Sequence, residues 1–511
     1  MQIRNPKKTG VLLSYLNTGL SMLVSLCYTP IMLRLLGTSQ HGVYNAAASV
    51  ISYLGLLTLG FGSAYMRFYM RYKTKKDEEG LAKLNGLFFM VFALAGSVGL
   101  LCGLTLSAFP ELVFGSKFLP EELRTSQILL VIMSFNFLFS LIGSVPSMFL
   151  TAMEKFPFQR ILEIATLLLK PVVTIPLLLM GYGAVGLTIV STLVTILGLV
   201  LELVYARRLG LRFRFGKPDM ALLKEISVFS FFVFLSSLAT TIDGTIDKLL
   251  LSRFVGASAV SVYEIGAKFR DYFMQLTVTV SVVFVPQVNR MVANNEGDSA
   301  LSLLMARIGR IQFMLLSYVL GGMILVGRYF IRIYAGEAYD DSYSIALLLM
   351  IGPLIPYIQN IGLEIQKAKN MHIFRSVAYL VFAVFNIVFS IPCIRYFGTK
   401  GAAVGTAIVL FLGNGLVMNY FYHKKVGMDM KYFWKQLSKP IFVYLIILLP
   451  WLIISRIWEV NSIPSMLIIA VGYSCTYLPI IWKKVMRQDE REQCIQMLPK
   501  FLRRKKTVVN E

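Results

Sequence analysis

The sequence predicts an all-α polytopic membrane protein of about fourteen transmembrane helices: two six-helix lobes related by pseudo-two-fold symmetry, plus two C-terminal helices. Three observations predict it. Of the 511 residues, 56% are hydrophobic and 15% charged, whereas a soluble domain carries about 25% charged residues. The apolar residues fall in runs of about 20, the length needed to cross roughly 30 Å of hydrocarbon. Finally, one turn between apolar segments occurs twice, since Arg34, Gly37, Ser39, Val43 and Tyr44 recur as Arg253, Gly256, Ser258, Val262 and Tyr263. The offset, 256 less 37, is 219 residues, and it also carries Ala184, Val185, Gly186, Ile189 and Val190 onto Ala403, Val404, Gly405, Ile408 and Val409. A shared offset of this size argues for a tandem duplication, far longer than a solenoid repeat.

The elements follow in order. Met1 to Gly10 is basic and runs into an apolar segment at 10–36 without a small-residue cleavage site, which reads as a retained first helix. Further spans are predicted at 42–67, 84–108, 126–151, 158–181 and 183–206, completing an N-terminal lobe over residues 1–206. The basic stretch 207–225 is a cytoplasmic linker. A C-terminal lobe over 226–425 holds spans at 226–253, 256–288, 303–327, 343–366, 374–396 and 401–423. The span at 256–288 is long and carries Pro286, so its cytoplasmic end is expected to break or lie on the surface. Residues 426–483 supply helices at 437–456 and 464–482, outside the repeat, and 484–511 form a basic cytoplasmic tail. Each repeat has six spans, an even number, so both copies share one orientation and their pseudo-two-fold axis runs along the membrane normal.

The net charge of +23 is explained by its placement. With the N-terminus in the cytoplasm, about 37 basic residues fall inside and about 9 outside, so both termini are expected to be cytoplasmic. The clusters read as topology signals and contacts to anionic lipid, not as a nucleic-acid surface. Five scattered cysteines and the isolated His41, His372 and His423 form neither a disulfide framework nor a metal pattern. No cofactor is expected, and no phosphate-binding Gly-x-x-x-x-Gly-Lys-Ser/Thr loop occurs.

Charges inside apolar spans are costly, about 2.5–3.5 kcal/mol at the bilayer centre, and usually face a partner or a watery cavity. Asp243 and Asp247 lie four residues apart on one face, with Lys248 adjacent. Glu264, Lys268 and Asp271 share a face of the next span, with Arg270 nearby. Asp247, Lys248 and Glu264 lie at similar depth when counted from Gly256. Two readings stand together: the acids neutralise Lys248 or Lys268 across the hairpin, or they bind a coupling ion or proton in a cavity. Glu163 and Lys170, seven apart, share a face, and Lys170 near mid-membrane would collect an anion or pair between helices. Arg34 would snorkel to headgroups or cap the cavity mouth.

These residues also resemble a family. The run Leu35-Leu36-Gly37-Thr38-Ser39-Gln40-His41-Gly42-Val43-Tyr44 is similar to the first-hairpin signature of Wzx-type polysaccharide flippases, in the polysaccharide transporter branch of the multidrug/oligosaccharidyl-lipid/polysaccharide exporter superfamily. Phe68 to Leu84, with its Lys76-Asp77-Glu78-Glu79 core, Asp247 to Tyr263, and Ile391 to Gly405 resemble the same family. The resemblance implies two lobes in a V around a cavity that opens to one side at a time. It implies a transporter rather than an enzyme, moving polyprenyl-pyrophosphate-linked oligosaccharide from the inner to the outer leaflet of a bacterial cytoplasmic membrane for capsule, O-antigen or exopolysaccharide synthesis. Polysaccharide polymerase and glycosyltransferases would be its partners. Its cationic cavity suggests Lys170, Lys248, Lys268, Arg270 and Arg34 as substrate contacts, leaving Asp243, Asp247, Glu264 and Asp271 for ion coupling. The last two helices would form a groove for the lipid tail, as in the lipid II flippase branch, whose arginine-rich first-lobe signature is absent here. A drug/cation antiporter of the same fold is the nearest rival, disfavoured by the basic intramembrane groups. A membrane glycosyltransferase or polymerase would need longer outer loops than those around 109–126 and 328–342.

Overall fold

The computed structural model describes residues 6–58, 61–216, 220–488 and 490–492. Among them the chain is helical and has no strand. Helix α1 (Pro6–Leu54) contains both arms of the first repeated hairpin, its helical path interrupted at Gly37, where φ is 71° and ψ 176°. The second arm ends in a 3-10 turn (Gly55–Thr58), and α2 (Phe61–Thr74) follows in the chain. The other copy of the turn separates α8 (Met220–Phe254) from α9 (Ala257–Ala293), with Gly256 at φ 124°. Both glycines adopt a backbone that a Cβ opposes. The duplicated turn therefore keeps the residue its geometry demands.

Between the two copies run α3 (Glu78–Ala108), α4 (Pro110–Phe114), α5 (Pro120–Ala152), α6 (Phe156–Leu179) and α7 (Gly183–Arg208). Asp77 starts α3 by accepting the Gly80 amide at 2.7 Å, satisfying one of the orphan donors of a first turn. Proline opens α4 and α5, where no amide is required. After α9 come α10 (Asp298–Ala335), the short α11 (Asp341–Ile351), α12 (Leu354–Ile358) and α13 (Asn360–Ala368), then α14 (His372–Phe397) and α15 (Thr399–Leu412). Two π-helical turns and the single-turn α16 (Asn419–Phe421) lead to α17 (Met430–Ile457) and α18 (Ile463–Ile480).

Eleven helices among the described residues are long and apolar enough to cross a membrane. The expected spans at 42–67, 226–253 and 343–366 fall on the second arm of α1 with α2, on α8, and on the run α11–α13. That run is broken at Gly352–Pro353 and again at Gln359, because Pro353 and Pro356 cannot donate to the helical ladder. At Pro286 the expected break does not occur, and α9 continues to Ala293. One proline costs a single backbone bond, which neighbouring structure can absorb.

The chain divides into two compact units. One comprises 1–264 with 379–402, the other 265–378 with 403–511. In the first, α3 packs on α5, α5 on α7 and α1 on α6. Its core includes an aromatic cluster of Phe61, Tyr65, Tyr69, Phe88 and Phe149. The Tyr65 hydroxyl donates to Asn85 at 2.8 Å, so the buried phenol carries no unmet polar group.

In the second unit α10 packs on α17 and α18. Tyr318 stacks on Tyr473, and the Tyr477 hydroxyl donates to the Met314 carbonyl at 2.7 Å. Gly321 leaves the space that Tyr473 fills, since a Cβ there would lie 2.2 Å from its hydroxyl. A buried guanidinium closes this unit: Arg310 pairs with Glu490 at 2.7 Å and donates to the Gln436 and Val485 carbonyls. In the connection after α10, Asp340 accepts from Arg328 at 2.6 Å and Arg332 at 2.7 Å. Arg328 first, then Arg332, holds its carboxyl down at about 2.

Candidate functional site: a polar cavity among α1, α6 and α7

The first unit carries an open cavity of about 390 Å³ between its apolar helices, with Glu163 and Lys170 both exposed in it. Helical spacing builds it. On α6, Glu163, Thr166 and Lys170 stand at i, i+3 and i+7 and so share a face, while α7 presents Thr195, Gly198 and Glu202, and α1 adds Asn17 and Ser21. Glu163 accepts from Asn17 at 2.7 Å and from Arg160 at 2.6 Å. Glu202 accepts from Ser147 at 3.3 Å, and Gln159, buried at the same wall, donates to the Ser147 carbonyl at 3.0 Å. Among the described residues Lys170 forms no ion pair. The cavity therefore offers one uncommitted ammonium beside two carboxylates and two amides, a set able to meet an anion and several hydroxyls at once.

The hairpin of α8 and α9 holds a second group. Lys248 and Glu264 pair at 3.0 Å with less than a fifth of either side chain exposed. Asp247 is buried and accepts from the Tyr263 hydroxyl. Each pair spans sixteen residues across the turn at Gly256, so the register of the hairpin sets both. Beside them the two repeated corners meet. His41 bonds Ser261 at 2.7 Å, Asn45 bonds His41, and Thr38 donates to Ser258 at 3.3 Å. Gly42 abuts the Ala257 carbonyl so closely that a Cβ would lie 1.8 Å from its oxygen. Residues beside the two repeated glycines thus face each other.

The nine residues singled out from sequence are not one constellation. Lys170 lines the cavity, and Lys248, Asp247 and Glu264 form the hairpin group. Arg34 is exposed near the end of the first arm of α1. Lys268, Arg270 and Asp271 belong to the second unit, where Arg270 contacts Asp271 at 3.0 Å. The Asp243 side chain lies outside the described residues, as does the tail beyond residue 492. Sequence reasoning passed over Asn17, Gln159, Arg160 and Glu202. Only Glu202 carried a signal, an acid inside the apolar run of α7.

Comparison with known proteins fits this architecture. The chain is 22% identical over 509 residues to the uncharacterized membrane protein EpsK of Bacillus subtilis, covering 96% of this chain and 97% of that one. It is 21% identical over 175 residues to the probable flippase AglR of Haloferax volcanii, covering 34% and 37%. Its fold is similar to that of a lipid II flippase MurJ in an inward closed conformation, with TM-score 0.73, 16% identity and coverage of 93% and 100%. An inward-facing multidrug resistance MATE family transporter aligns with TM-score 0.63, 15% identity and coverage of 80% and 94%. The model of the family described as polysaccharide biosynthesis protein matches residues 8–292, more than half of the chain. The chain belongs to the polysaccharide biosynthesis protein family.

Proposed function

We propose that the protein is a flippase for polyprenyl-pyrophosphate-linked oligosaccharide, carrying the sugar from the inner to the outer leaflet of the bacterial cytoplasmic membrane by alternating access. The observation that supports this reading is the 390 Å³ polar cavity with Lys170 uncommitted inside it. The physical task is to take a pyrophosphate and a sugar past hydrocarbon while the prenyl tail stays in lipid. Lys170 would meet the pyrophosphate in a charge-assisted contact. Glu163, Glu202, Asn17 and Gln159 would exchange hydrogen bonds with sugar hydroxyls. The hairpin pair Lys248–Glu264 fits a structural lock, and buried Asp247 is the acid best placed for coupling to an ion or proton. Fourteen crossings, cytoplasmic termini, two repeat lobes over 1–206 and 226–425, the linker 207–225, the added helices over 426–483 and the tail 484–511 complete the reading. Capsule, O-antigen or exopolysaccharide assembly would supply and consume the cargo, with a polymerase and glycosyltransferases as partners.

One observation favours a second reading. Glu163 and Glu202 in the same cavity would suit antiport of an organic cation. Proteoliposomes carrying the full chain separate the two. Labelled polyprenyl-pyrophosphate oligosaccharide should move between leaflets, and an imposed gradient should not drive ethidium uptake. Ethidium uptake without movement of the glycolipid would replace the first reading by the second.

A further inference from the structure

A second hollow opens in the first unit, a trough of about 890 Å³ along α5 and α7. Its walls are apolar, with Phe139, Ile142, Leu199 and Val200 among them, and one end carries Arg207 and Arg212. Val200 is 49% exposed and Phe215, at the basic end, 58% exposed, so the apolar floor is open to its surroundings. Both arginines are exposed, and among the described residues neither forms an ion pair. Their neighbour Arg214 is different, because Glu79 neutralises it at 2.7 Å. From Ile196 to Arg207 the α7 axis rises about 16 Å, close to half of the roughly 30 Å hydrocarbon core. The trough is therefore about one leaflet deep, with positive charge only at the end beside the C-terminus of α7.

We infer that this trough is a binding site for an anionic phospholipid of the adjacent leaflet, its acyl chains along α5 and α7 and its phosphate held by Arg207 and Arg212. Basic pockets at the interfacial end of packed membrane helices select anionic headgroups, and guanidinium groups pair with phosphate in two-pronged geometry. The depth fits an ordinary acyl chain, whereas a polyprenyl tail would run past it. The inference rests on the membrane-spanning fold and is independent of the cargo.

Native mass spectrometry of the full chain released from detergent, with phosphatidylglycerol, phosphatidylcholine or a polyprenyl phosphate added, tests it. The protein should hold phosphatidylglycerol at least tenfold more tightly than phosphatidylcholine. Arg207→Gln with Arg212→Gln should erase that preference, and Val200→Trp, which fills the trough and leaves the charges, should weaken phosphatidylglycerol binding at least tenfold. Equal retention of the two phospholipids, full retention by Val200→Trp, or displacement of phosphatidylglycerol by equimolar polyprenyl phosphate would each overturn the assignment.

Discussion

Replacing Glu490 by alanine should release the C-terminal end of the second unit locally and by a large amount. Glu490 is fully buried, and its carboxylate accepts from Arg310 at 2.7 and 3.3 Å and from the Arg487 amide at 2.8 Å. Arg310, 4% exposed, also donates to the carbonyls of Gln436 on α17 and Val485 beyond α18, so one guanidinium ties α10 to both. Removing the acid leaves a buried cation with two carbonyls, and breaking one partner of such a pair costs about 3–5 kcal/mol. Hydrogen exchange of the amides in 481–492, measured in lipid nanodiscs, reads that opening directly. At a factor of ten per 1.4 kcal/mol, exchange there should accelerate by about a hundred- to several-thousand-fold in Glu490→Ala. Arg310→Met with Glu490→Leu should cost less, about 1–3 kcal/mol, since no charge is then left buried and only the two carbonyls and the Arg487 amide lose partners. Unchanged exchange in Glu490→Ala, or a double variant as damaging as the two single changes added together, would refute the reasoning.

Three further outcomes follow from the same geometry. Gly42→Ala, whose Cβ would meet the Ala257 carbonyl at 1.8 Å, should destabilise by about 1–3 kcal/mol through overpacking, whereas Gly19→Ala, with nothing within 4 Å, should be neutral or stabilise by about 0.5–1 kcal/mol; thermal unfolding in detergent compares them. Lys248→Glu alone should lower thermal stability by juxtaposing two acids, and adding Glu264→Lys should restore it if the 3.0 Å pair acts as a lock. Asp340, held at about 2 by Arg328 and Arg332, is depressed below its unfolded value of 3.8, so its contribution is present above pH 4 and is lost as pH falls from about 4 to 2. Its arginine partners are largely exposed, which limits that contribution to about 0.5–1 kcal/mol, and Asp340→Asn should flatten the slope of stability against pH in that window.

What the sequence disclosed was mainly local. The turn at Gly37 and Gly256 was legible because a left-handed backbone leaves glycine little competition, and the duplication preserved it. The Lys248–Glu264 pair was legible because two helices leaving one turn reach equal depth at equal distance from it. Spans were legible because hydrocarbon thickness fixes their length. The break of the 343–366 segment into α11–α13 was harder to read, since prolines at 146, 171 and 392 sit within continuous helices and only packing distinguishes the cases. The cavity was half legible: Glu163 and Lys170 share a helix face, but Asn17 and Glu202 join them only through the packing of α1 and α7 on α6. Arg310 and Glu490, 180 residues apart, left no sequence signal as a pair. Nor did the meeting of His41 with Ser261, although both lie beside the repeated glycines.

Contact between Lys170, an uncommitted ammonium lining the open cavity of the first unit, and the pyrophosphate of a lipid-linked sugar is the step on which the proposed function turns. It is tested most directly by the leaflet-to-leaflet rate of labelled polyprenyl-pyrophosphate oligosaccharide in proteoliposomes containing Lys170→Met or Lys170→Arg. Loss of a charge-assisted contact of about 1.5–3 kcal/mol predicts a rate at least tenfold lower for Lys170→Met, with most of the native rate kept by Lys170→Arg. Native flipping by a folded Lys170→Met protein would contradict the account.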